Sequence, residues 1–104
     1  SLDDVKGKWE VLLQNLSQVK MSLANYLKEA TPVKLEKDAL TVGFPRASVF
    51  FKEAMEHRDN LKIFENALNA TMGSSFRVQL EIVEGLVREQ EKSLRKVKKW
   101  RDIV

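Results

Sequence analysis

Apolar residues return at alternating steps of four and three along the first third of the chain: Val5, Trp9, Leu12, Leu16, Val19, Leu23, Tyr26 and Ala30. This is the stripe of an amphipathic helix. The polar run around its middle, Asn15, Ser17 and Gln18, holds weaker helix formers, so two helices with a bend at 15–18 are expected. Thr31-Pro32 closes the pattern, because a residue before proline is pushed towards extended geometry.

The period then changes from helical to two. Val33 and Leu35 form a short strand, Lys37-Asp38 a turn, and Leu40, Val42 and Phe44 alternate with Thr41 and Gly43 in an antiparallel partner over 39–44. Pro45 has no N–H to donate and stops that ladder. A helix is expected over about 47–56, with Val49, Phe50, Ala54 and Met55 on its apolar side. Asp59 or Asn60 is placed to cap the next helix, whose face is Leu61, Phe64, Leu68 and Met72, with Gly73 at its left-handed end. Phe76, Val78, Leu80 and Ile82 alternate with Arg77, Gln79 and Glu81 as a one-sided strand. A last helical stripe follows over about 84–101: Leu86, Gln90, Leu94, Val97 and Trp100, with Ile103 continuing it and Gly85 weakening its start.

The order helix, helix, strand, strand, helix, helix, strand, helix is that of an α+β domain. A three-stranded, mostly antiparallel sheet packed by helices on one face is expected, its polar face at least partly wet. A chain of 104 residues suits a single domain, divided into a compact core over about 1–83 and a terminal helix over about 84–104. The chain opens on Ser1 rather than Met, so a piece of a longer protein is expected.

Charge sharpens the picture only at the far end. The formal net charge is +3, and the stretch from Arg88 onward holds all of that excess: Arg88, Lys92, Arg95, Lys96, Lys98, Lys99 and Arg101 against Glu89, Glu91 and Asp102. Such asymmetry points to an anionic partner. With no cysteine, disulfides and thiolate metal sites are excluded, and a reducing cytoplasm is the expected compartment. No apolar run reaches the roughly 18 residues of a membrane helix, so no membrane partner is expected.

Catalytic chemistry finds no foothold. His57 is the only histidine and lies between Glu56 and Arg58, which reads as an exposed helix end rather than a ligand or base. Ser74-Ser75 have no base in sequence reach, and Gly7, Gly43, Gly73 and Gly85 form neither GxGxxG nor a Walker A loop. Neither an enzyme, a cofactor, a metal nor a small-molecule substrate is expected. Trp9 and Trp100 both fall on apolar stripes, so core packing is the first reading of each. Trp100 has a second reading, as a partner anchor among basic residues.

Particular residues resemble a known family. They are Trp9-Glu10-Val11-Leu12, Leu23 with Tyr26-Leu27, Ala30-Thr31-Pro32-Val33, Ala39-Leu40-Thr41-Val42-Gly43-Phe44-Pro45, Asn60-Leu61 with Phe64-Glu65 and Leu68, then Gly73 and Phe76-Arg77-Val78. In order and spacing, over about residues 8–82, they resemble the region beyond the ATPase and collar domains of the gamma/tau subunit of the bacterial DNA polymerase III clamp loader. The resemblance implies a non-catalytic interaction or tethering module in DNA replication, with the replicative polymerase or the helicase as partner. ATP hydrolysis in that family belongs to a different domain. The contact residues expected for such a partner are Lys92, Arg95, Lys96, Lys99, Trp100 and Arg101 on the terminal basic helix.

The alternative is direct binding of single-stranded nucleic acid. The order helix-strand-strand-helix-helix-strand resembles a type II KH domain, which clamps a strand with a GxxG loop between its paired helices. Here that position reads His57-Arg58-Asp59-Asn60, without glycine and with an acidic residue, which argues against the clamp. A weak DNA contact would then fall to the basic helix.

Overall fold

The computed structural model describes residues 1–85. Three helices, α1 (Leu2–Gly7), α2 (Trp9–Val19) and α3 (Met21–Leu27), lead into a hairpin of β1 (Thr31–Glu36) and β2 (Ala39–Phe44). A short 3-10 turn at Arg46–Ser48 opens α4 (Val49–Glu56), and α5 (Arg58–Met72) and β3 (Arg77–Ile82) complete the order. The α+β class, with a three-stranded sheet packed by helices, is as the sequence pattern indicates. The terminal helix expected over 84–101 lies outside the described residues, except that Glu84 and Gly85 form a turn with Gly85 at φ 77°.

The apolar stripe of the first 30 residues is broken at different places from the one expected. The backbone stays helical straight through 15–18 and breaks instead at Lys8 (φ −106°, ψ 8°) and Lys20 (φ −157°, ψ 100°). Asn15 does not bend the helix; its Nδ2 donates to Thr71 Oγ1 at 3.3 Å and so ties α2 to α5. The break at Lys20 also takes Val19 off the core side, leaving it 66% exposed.

The sheet has the order β1-β2-β3 with β2 in the centre. β1 pairs antiparallel with β2, through a register shift between Pro32 and Lys34 that leaves Val33 as a bulge. Pro32 is tolerated because β1 is an edge strand. β2 and β3 run parallel, with Ala39 opposite Arg77 and Phe44 opposite Ile82. The sheet is therefore mixed, where alternation alone suggested a mostly antiparallel one. Chain geometry explains the second pairing. The chain leaves β2 at its Phe44 end and must re-enter beside Ala39, and a parallel pair needs such a crossover. The 15-residue α5 rises about 22 Å, enough to return the length of a six-residue strand at about 3.3 Å per residue.

One core lies between the sheet and the helices. Leu40, Val42 and Phe44 of β2 are fully buried there with Leu12, Leu16, Leu23, Leu27, Met55, Phe64 and Leu68. Trp9 packs on its border, its ring edge-on to Phe64 with centroids 6.1 Å apart, as the first reading of that residue requires. Its Nε1 is buried without a hydrogen bond among the described residues. On α4 the buried residue is Met55, whereas Phe50, expected on the apolar side, is 77% exposed.

Candidate interaction surfaces

The junction between α4 and α5 is the place where a KH-like clamp would sit. It is a single residue, His57 (φ −59°, ψ 134°), between a helix ending at Glu56 and one starting at Arg58. The segment 58–60 is thus the first turn of a helix, not the glycine-bearing loop that such a clamp uses. Asp59 and Asn60 do not cap α5, whose N-cap is His57 with no side-chain cap. Asn60 closes the preceding helix instead: its Nδ2 donates to the Ala54 carbonyl at 2.8 Å, and its Oδ1 accepts from Lys20 Nζ at 2.7 Å. A residue that bridges three elements in this way is part of the scaffold.

The open face of the sheet carries a shallow hollow of about 530 Å³ lined by Lys34, Glu36, Lys37, Asp38, Ala39, Thr41, Arg77 and Gln79. Two of its three cations are matched by acids. Lys34 Nζ lies 3.2 Å from Glu36 Oε1 and Arg77 Nε 3.7 Å from Asp38 Oδ2, both pairs in solvent. A phosphate chain needs several unbalanced positive charges, and here only Lys37 is left over. Towards the other end the central strand is covered even on this side: Thr41 is 6% exposed and Gly43 is buried. A Cβ on Gly43 would sit 2.5 Å from Val83 Cγ2 and 3.2 Å from Val33 Cγ1. The bulged Val33 and the chain leaving β3 close over the strand, and only glycine leaves them room.

That exit is held in place. The Val83 N–H donates to the Phe44 carbonyl at 2.9 Å, and Arg46 donates to the Glu84 carboxylate. The hydrogen bond from Arg46 holds the Glu84 carboxyl below its ordinary range, and the same bond raises Arg46. The start of β3 is fixed from α5. Asn69 Oδ1 accepts from the Phe76 N–H at 2.7 Å and its Nδ2 donates to the Phe76 carbonyl at 3.1 Å, while Glu65 Oε2 accepts from the Val78 N–H at 2.8 Å. Gly73 takes the expected left-handed conformation (φ 64°, ψ 42°) at the end of α5. Ser74 spends its hydroxyl on Asn69 Oδ1 at 3.2 Å, which accounts for it structurally.

Sequence reasoning missed Glu65 and Asn69. Their spacing of four on one helix face, aimed at a following strand, was the available signal. Among the described residues no group of three or more His, Asp or Glu is placed to hold a metal, and no helix is long and apolar enough to cross a membrane. The expected contact residues Lys92, Arg95, Lys96, Lys99, Trp100 and Arg101 lie outside the described residues.

These features define a small helix-covered α+β module whose conspicuous side chains serve packing and strand anchoring. The chain belongs to the family of the DNA polymerase III subunit tau C-terminal domain, whose model matches residues 1–99. It is thus a domain of a replication protein, from a part of the tau subunit outside its ATPase region. No curated protein and no solved structure matches the chain.

Proposed function

We propose that the domain is a non-catalytic tethering module by which the tau subunit links the clamp loader to another replisome protein, the replicative polymerase or the helicase. The observation that carries this reading is the family match over residues 1–99, on a fold whose polar side chains hold the scaffold together. The contact surface in this reading is the basic stretch with Lys92, Arg95, Lys96, Lys99, Trp100 and Arg101. Clustered positive charge steers an acidic surface into encounter, and a tryptophan within it supplies the apolar anchor.

The test is calorimetric titration of the 104-residue chain with the polymerase subunit and, separately, with the helicase. Binding to one of them is expected, with Trp100→Ala weakening it by at least about 2 kcal/mol. Absence of binding to both sinks the proposal. Fluorescence anisotropy with a single-stranded oligonucleotide tests the nucleic-acid alternative. Four phosphate contacts at about −0.7 each would lower affinity ~50-fold between 50 and 200 mM salt. That fall, without protein binding, would put DNA in the place of the protein partner.

A further inference from the structure

β3 is an edge strand, and its two halves differ in what meets their outer side. The Arg77 N–H donates to the Asp38 carbonyl and the Val83 N–H to the Phe44 carbonyl, so the odd-numbered amides face β2. The N–H and C=O groups of Phe76, Val78, Leu80 and Ile82 therefore point outward. Side chains of α5 close the first half of this edge. Asn69 takes both the N–H and the carbonyl of Phe76, and Glu65 Oε2 takes the Val78 N–H at 2.8 Å. Beyond Val78, no group among the described residues pairs with the outward N–H and C=O of Leu80 and Ile82. Such an open edge is a template for another strand.

The side chains around the open half decide what fits it. Leu80 and Ile82 are half-buried against the core, whereas Gln79 and Glu81 are exposed on the other face. Glu81 has no partner among the described residues, and its neighbour across the β2–β3 pairing is Gly43, which has no side chain to offer. An added strand would set one residue beside this unmatched carboxylate and lay the two flanking residues over Leu80 and Ile82. A second copy of the chain does not meet these terms. Antiparallel pairing through both residues within Arg77–Ile82 can set Leu80 against Ile82, which brings the two Glu81 residues directly opposite at a Cα separation of about 4.5 Å. Like charges so placed are destabilising. The other registers draw in Val78, whose N–H Glu65 already holds.

We propose that the open half of the β3 edge is a strand-addition site for an extended segment of a partner protein, with a lysine or arginine between two apolar residues. Antiparallel addition gives the segment backbone bonds to Leu80 and Ile82, its cation lies opposite Glu81, and its apolar residues cover the half-buried pair. Glu65 and Asn69 set where the added strand must stop. The site is built by β3 alone and makes no use of the basic stretch, so it stands or falls separately from the tethering proposal.

The test is an NMR titration of the 104-residue chain with the capped peptide Thr-Val-Lys-Val-Thr and with its counterpart bearing Glu in place of Lys. Amide exchange at Leu80 and Ile82 is expected to slow by about tenfold or more at millimolar Lys peptide, with Val78 unchanged. The Glu peptide should bind about threefold or more weakly, and Glu81→Lys should reverse that order. Unchanged Leu40 and Val42 signals show that the variant keeps its fold. Exchange at Leu80 and Ile82 that ignores the peptides, or a preference that Glu81→Lys does not reverse, overturns the site. So does strong protection of both amides in the free chain: protection lost on dilution makes a second copy the occupant, and protection that survives dilution makes it the chain itself.

Discussion

Phe44 and Gly43 are neighbours whose roles were legible to different degrees. The two-residue alternation marked Phe44 as core, and it is fully buried between sheet and helices. Phe44→Ala should cost about 3–5 kcal/mol in urea unfolding, through lost transfer energy and the cavity left behind. The same alternation placed Gly43 on the polar face, where any small residue would serve. The reason for glycine depends on two distant residues, the bulged Val33 and the returning Val83, whose approach no local pattern encodes. Gly43→Ala should therefore lose about 1–3 kcal/mol by overpacking, because β-branched Val83 must shift to admit a Cβ. Gly7→Ala is the contrast: a Cβ there meets open space at the end of α1, and this variant should unfold no earlier than the parent. Equal losses at the two positions would show that the Val33–Val83 closure is not tight.

Among the elements, the helices, the strands and the β1–β2 hairpin followed from periodicity, whereas the breaks in the first helical stripe and the β2–β3 pairing did not. Apolar spacings of four run across both breaks in the sequence, Val5 to Trp9 and Val19 to Leu23, even though Val19 leaves the core, so hydrophobic pattern has no power to locate them. The direction of β3 was hidden for a related reason: alternation reports which face is buried and is silent about which way a strand runs. β3 lies at the sheet edge, and the bonds Arg77 N–H to Asp38 and Val83 N–H to Phe44 set which amides face β2. By alternation the N–H groups of Val78, Leu80 and Ile82 point outward, and that of Val78 is taken by Glu65. Hydrogen exchange should thus be slow at Val78 and fast at Leu80 and Ile82. Glu65→Ala should bring Val78 to the rate of its outward neighbours, with β2 amides unchanged. A Val78 amide that stays protected in the variant would mean that another group covers the edge. Asn69→Ala should cost about 1–3 kcal/mol, since it strips the Phe76 N–H of its acceptor where α5 hands over to β3.

At the scale of the molecule, what the sequence did not disclose is that residues 1–85 already enclose a core of their own. Among the described residues, every fully buried apolar side chain lies between Val5 and Leu68, and Val78 completes the cluster. The end of the described chain is fastened twice, at Phe44 and at Arg46. A chain ending after Gly85 should therefore keep its fold, with the denaturation midpoint shifted by no more than about 1 kcal/mol equivalent, the scale of surface contacts. The slope of unfolding against urea should fall only in proportion to any surface the tail covers. Loss of cooperative unfolding in the shortened chain would place part of the core in residues 86–104 and erase the division between scaffold and tail. That fastening can be tested without shortening the chain. The Glu84 carboxyl is lowered by its bond from Arg46, so the tie is fully formed at and above the ordinary carboxylate range and is lost as pH falls through the lowered value. Exchange at the Gly85 amide should accelerate, relative to β2, across that acidic window. In Glu84→Gln the same amide should show low protection relative to β2 at every pH, and a pH-dependent ratio persisting in that variant would assign the titration to a different group.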